Sequence, residues 1–143
     1  MILRHAPKTV SEIPPRYAGI FSHGVEISAP VRFLFLSGQI GVDTRGITQR
    51  GFEAQTRQAM DNVEALLHAA EMQQDDILRV IYYVTDAANL KTLSDLRQER
   101  WQSDSGPAVT TLVVAGLAAP DLLVEIEVTA CQGISDQAQS GAF

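Results

Sequence analysis

Apolar and polar positions alternate along this chain with two different periods, and the switch between them predicts its elements. From Gly19 to Ile27, Phe21, His23, Val25 and Ile27 fall on one face and Ser22, Gly24 and Glu26 on the other, the spacing of a half-buried strand. Ser28-Ala29-Pro30 is turn material, and the apolar, aromatic run Arg32–Ser37 is too short for a helix. These two strands are expected to pair as an antiparallel hairpin. The period then lengthens: Phe52, Thr56, Ala59, Met60, Val63, Leu66, Leu67 and Ala70 recur every three or four residues, predicting an amphipathic helix of about five to six turns. Ile77–Thr85 is β-branched and aromatic, and Leu90, Leu93, Leu96 and Trp101 mark a second, shorter helix. Pro107–Gly116 and Leu122–Ala130 both read as strands, joined closely enough to suggest a second antiparallel hairpin.

Residues 1–14 show no periodicity and carry Pro7 and Pro14, which predicts a covering arm, and the small, polar stretch 132–143 predicts a flexible tail. No repeat or linker divides the remainder, so residues 1–143 are read as one domain. The order of elements implies an α+β fold in which two helices cover one face of a mainly antiparallel sheet. The strand around Val109–Ala115 is apolar or small on both faces. Two helices leave one of those faces bare, so a symmetric oligomer is expected to cover it.

Composition narrows the function classes. A hydrophobic share of 45% and a charged share of 20% fit a globular protein, and no apolar run approaches the roughly 20 residues of a membrane span. Eleven basic against seventeen acidic residues give a net charge of -6, with no cluster of Lys or Arg, so nucleic acid is not expected as a partner. Cys131 is the single cysteine, which excludes an internal disulfide and a thiolate metal cluster. A reducing, cytoplasmic setting is expected, since the start of the sequence shows no basic segment followed by an apolar stretch.

Candidate chemistry is sparse. Glu125 and Glu127 stand two apart in an apolar strand, so both carboxylates share one face. Such a pair suits a general base that orients water, or it simply faces solvent or pairs with arginines at a subunit contact. His23 reads as a packed histidine hydrogen-bonded to backbone, with a ligand-binding or acid/base role as the alternative, His68 as a surface neighbour of Glu64, and His5 as part of the arm. Three histidines so scattered give no metal-binding spacing, and no metal is expected. The nucleophile elbow and the glycine-rich phosphate loops are both absent from the sequence, and Cys131 reads as a small core residue.

Five short motifs in register carry a resemblance: Gly19–Gly24 (GIFSHG), Ser37–Asp43 (SGQIGVD), Met60–Val63 (MDNV), Pro107-Ala108 and Val124–Val128 (VEIEV). Their order and spacing resemble the YjgF/RidA family of reactive-intermediate deaminases over roughly residues 15 to 131. The resemblance implies a chorismate-mutase-like fold assembled as a homotrimer, with a central barrel and small-molecule clefts between subunits. Family deaminases hydrolyse enamines and imines such as 2-aminoacrylate without a cofactor. Their substrate carboxylate is gripped by an arginine that corresponds here to Val109, so 2-imino-acid deamination is not implied in its usual form. Phe21 stands for the family's first-strand tyrosine and Ser94 for a second-helix asparagine. Gly38, Thr111 and Glu125 match the pattern, with Glu125 as the water-orienting catalytic carboxylate. Arg16, Arg45 and Arg100 are the candidate substitute cations. The reading is a cofactor-independent hydrolase acting on an imine, enamine or related compound. A non-catalytic metabolite-binding or regulatory trimer is the alternative, and a ribonuclease or translation-inhibitor role comes third.

Overall fold

A computed structural model describes residues 1–28, 31–104 and 106–134. Seven strands and two α-helices are arranged along it: β1 Ile2–His5, β2 Gly24–Ile27, β3 Val31–Phe35, β4 Gln39–Ile40, α1 Phe52–Ala69, β5 Ile77–Val84, α2 Leu90–Arg100, β6 Ala108–Val113 and β7 Val124–Gly133. The main sheet has the order β3-β7-β5-β6, with β4 also on β7, while β1 and β2 form a separate two-stranded ribbon.

Alternation sets the sheet's two faces. In β5, Val80, Tyr82 and Val84 are buried, and in β7 Val124, Ile126 and Val128 are buried beside them. Onto that face the helices press Ala59, Met60, Val63 and Leu67 from α1 and Leu93 and Leu96 from α2, closing one hydrophobic core. The opposite face carries Ile81, Tyr83, Glu125, Glu127 and Thr129, and it stays partly open. Exposed apolar groups gather at this open face and along the β6 edge: Phe33 and stacked Phe35, which is 75% exposed, with Leu112 and Val113. The α+β architecture with two helices on one face therefore stands as expected.

Strand partnership differs from the expectation in both proposed hairpins. β2 does not pair with β3; its partner is β1, so residues 2–5 of the expected arm are a strand, clear of Pro7 and Pro14. Residues 19–23 are not extended into β2, and only Gly24–Ile27 forms the strand. β6 does not pair with β7; it lies parallel to β5, and β7 lies antiparallel on the other side of β5. The unit β5-α2-β6 explains this, because a helical crossover returns the chain in the same direction and makes its two strands parallel neighbours. The expected tail begins too early as well: Gln132 and Gly133 pair with Arg32 and Val31 in the β3–β7 ladder, and Arg32 donates to the Gln132 side chain. Residues 135–143 of that tail, and the turn residues 29 and 30, lie outside the described residues. Among the described residues no helix is long and apolar enough to cross a membrane.

Candidate functional site

The second helix places its chemistry by phase. Leu93 and Leu96 are buried, which turns Leu90, Ser94 and Arg97, spaced four and three apart, along the helix flank toward β6. On the strand, Val109 and Thr111 pair with Val80 and Tyr82, and so face the helix side of the sheet. Between these elements lies a recess of about 310 Å³ lined by Leu90, Leu93, Ser94 and Arg97 from α2, Val109 and Thr111 from β6, and the rings of Tyr17 and Phe21. Phe21 is held against the start of β6. Ser22 N–H donates to Pro107 O at 2.7 Å, and a Cβ at Gly106 would come within 2.6 Å of the Phe21 nitrogen, so only glycine permits that approach.

Arg97 sits over the ring of buried Tyr82, 4.9 Å from its centroid. Burial pushes the Tyr82 hydroxyl well above the usual tyrosine range, and the Arg97 charge and hydrogen bond pull against that shift.

The second group of residues lies elsewhere. β3 and β4 run along the same edge of β7, yet four steps from Phe35 to Gln39 oppose three steps from Thr129 to Ile126. The extra residue makes a bulge at Ser37–Gly38. A Cβ on Gly38 would fall inside the Glu125 carboxylate and its stem, so the absence of a side chain at 38 is what lets Glu125 lie there. Behind the bulge, Asn62 of α1 donates to Ile40 O at 3.0 Å and Val42 O at 3.2 Å, fixing the loop backbone from the core side. The paired glutamates then part company. Glu127 accepts the Tyr83 hydroxyl at 3.0 Å, and that bond, with burial and the charges of Glu127 and Glu125, raises the Tyr83 pKa. Glu125 is half-buried, and its side chain makes no hydrogen bond or ion pair among the described residues. Its carboxylate is available to a bound molecule or to water.

Of the six residues named from the sequence, the protomer thus unites Phe21, Ser94, Val109 and Thr111 in one recess, and Gly38 with Glu125 in another corner. The two groups stand on opposite faces of the sheet: Thr111 shares the helix side with Tyr82, and Glu125 pairs with Tyr83 on the open side. Sequence reasoning missed Tyr17 and Arg97. Continuing the helical spacing from Ser94 by three residues would have found Arg97. The cations it did propose are engaged or outside the recess. Arg100 binds Asp61 and Glu64, each at 2.8 Å, Arg45 binds Asp43 at 3.1 Å, and Arg16 lies over Tyr17 at 4.7 Å without lining the recess. His23 meets backbone as expected, its Nε2 2.7 Å from Ser11 O, but it is exposed rather than packed. Glu64 faces Arg100 and Trp101 rather than His68.

Comparison with known proteins gives consistent results. Residues 13–132 match the family model described as Endoribonuclease L-PSP. A RutC family protein of Aquifex aeolicus is 35% identical over 118 residues, 81% of this chain and 91% of that protein. The 2-iminobutanoate/2-iminopropanoate deaminase of Salmonella typhimurium is 31% identical over 127 residues, 86% of this chain and 96% of the enzyme. The crystal structure of a protein of unknown function of the conserved Rid family from Yersinia pestis, YyfB, superposes with a TM-score of 0.79 at 30% identity, covering 92% of this chain and 98% of that one.

Proposed function

Since the chain belongs to the YjgF/RidA family, we propose that it is a cytoplasmic, cofactor-independent hydrolase of a small imine or enamine, working as a homotrimer. The observation that carries this reading is the separation just described. A recess with a cation and aromatic walls lies at the β6 edge, and an unpaired carboxylate lies on the far face of the same sheet. One protomer cannot bring them to one molecule, whereas a neighbouring copy covering the open face can. The exposed Phe33, Phe35, Leu112 and Val113 give such a contact its apolar surface.

In this arrangement Glu125 accepts a proton from water as the oxygen attacks the C=N carbon. Glu125 passes that proton to the nitrogen to give the neutral carbinolamine; the hydroxyl proton then travels to the nitrogen by way of Glu125, the C–N bond breaks, and ammonia departs to leave a carbonyl compound. An enamine enters the same route after tautomerising to its imine. The deaminase relative from Salmonella supports this class of chemistry. Val109 cannot make the two-pronged ion pair of the family arginine, so the substrate is bound differently from a simple 2-imino acid. The net charge of -6 argues against RNA as the substrate.

The test is ammonia release from imines generated in situ, for the wild type and Glu125→Gln, with sedimentation of both. Turnover by a trimer that falls at least about a hundredfold in the variant is expected. Equal turnover by the two would remove Glu125 from the chemistry. A metabolite that raises the melting temperature and is recovered unchanged would move the protein to the class of binding or regulatory trimers.

A further inference from the structure

We propose that Arg97 is the anion-binding residue of the recess and that the ligand is a small carboxylate with an apolar body, its anionic end toward α2 and its body against Val109 and Phe21. This rests on the reading that the recess is the ligand site, and it names what that site selects.

Three observations support it. The lining holds one guanidinium and no carboxylate, so its charge is uncompensated from within. Arg97 is also set apart from the chain's other helical arginines. Arg57 binds Glu53 and Glu99, and Arg100 binds Asp61 and Glu64. Arg97 has Leu93 and Trp101 four residues away on either side and Ser94 and Arg100 three away, so its helix offers it no acid at pairing distance. Among the described residues no carboxylate is in ion-pair contact with it. The second observation is its seat over the Tyr82 ring, which holds the guanidinium in place before a ligand arrives and lowers the entropy lost on binding.

The third observation is the polarity of the recess. Arg97 and Ser94 give the α2 wall its polar and charged part, beside Leu90 and Leu93 on the same helix. Across from them Val109 is aliphatic and Phe21 and Tyr17 present rings, with Thr111 the polar residue of the β6 wall. A carboxylate with an apolar body can set its charge on Arg97 and its body against Val109 and the rings, whereas an uncharged amide isostere keeps only a neutral hydrogen bond there. A volume of about 310 Å³ is at the small end of ligand pockets and suits a metabolite rather than a peptide.

The probe pair is phenylacetate and phenylacetamide, titrated by calorimetry into the intact protein. Phenylacetate is expected to bind the wild type at least about tenfold more tightly than phenylacetamide, and to lose that margin in Arg97→Met. Because Arg97→Met also removes the stacking on Tyr82, a second variant keeps the arginine. Ser94→Asp places an acid three residues away on the same flank and is expected to abolish phenylacetate binding while the circular dichroism spectrum is unchanged. Equal binding of the acid and the amide by the wild type, or undiminished phenylacetate binding by either variant, would overturn the assignment. The same titration in Glu125→Gln separates the two claims. Retained binding with unchanged turnover sinks the hydrolase and leaves Arg97 in place, and lost selectivity with Glu125-dependent turnover does the reverse.

Discussion

On the helix-covered face of the sheet, Val80, Tyr82 and Val84 stand in register with Val128, Ile126 and Val124, and all six are buried. One residue along, on the open face, Ile81 and Tyr83 stand in register with Glu127 and Glu125 and are only half-buried. The same two strands thus carry a uniform aliphatic and aromatic layer on one side and a mixed layer of acids and rings on the other. Burial of the first layer is completed by the chain's own helices and accounts for folding. The second layer contributes little to that core, and its carboxylates are a cost where they are covered without partners. The pattern makes sense when that face is read as serving association and chemistry.

Truncation should separate the two faces most sharply. Ile126→Ala, on the covered side, should cost about 2–5 kcal/mol in denaturant unfolding, because it leaves a cavity beneath α1. Phe35→Ala, on the open side, should cost less than about 1 kcal/mol of protomer stability in dilute solution while lowering the sedimenting mass. Equal destabilisation by the two would erase the distinction.

A subtler separation comes from Gly38→Ala. The atoms a new Cβ would displace belong to the flexible Glu125 side chain, so the variant should stay folded and lose about tenfold or more in turnover. A collapse of the melting temperature with unchanged turnover would assign Gly38 to the bulge alone.

The smallest effect concerns Asp43, in the loop that follows β4. Its carboxylate accepts the Ile47 and Arg45 backbone N–H groups at 3.0 and 2.9 Å. The Ile47 bond, ahead of the Arg45 contacts, holds its pKa below the ordinary 3.8 despite the opposing effect of burial. A depressed folded pKa means that its stabilisation is present above the unfolded value and is lost as pH falls through the lowered one. Asp43→Asn should therefore be slightly less stable than the wild type at pH 7, with the gap closing in urea titrations below about pH 3.8. A constant gap would show that the loop owes nothing to the ionised form.

The sequence by itself determined the kind of each main element and which way its residues face. The helical spacing of Phe52–Leu67 and the alternation of Val124–Val128 are local properties, fixed by backbone geometry within a few residues. Four of the eight recess-lining positions, Phe21, Ser94, Val109 and Thr111, were also named in advance, through the family resemblance rather than through any local period. Only the tertiary structure decided which strands lie side by side. Short connections favoured hairpins for β2–β3 and β6–β7, but the α2 crossover set β6 parallel to β5, and β7 then filled β5's other edge. Arg97 became distinctive for a similar reason. A solitary arginine on an amphipathic helix looks like any solvated charge until the fold sets it over Tyr82 in a recess whose lining holds no acid. Pairing and charge compensation are sums over residues distant in sequence, so no local period encodes them.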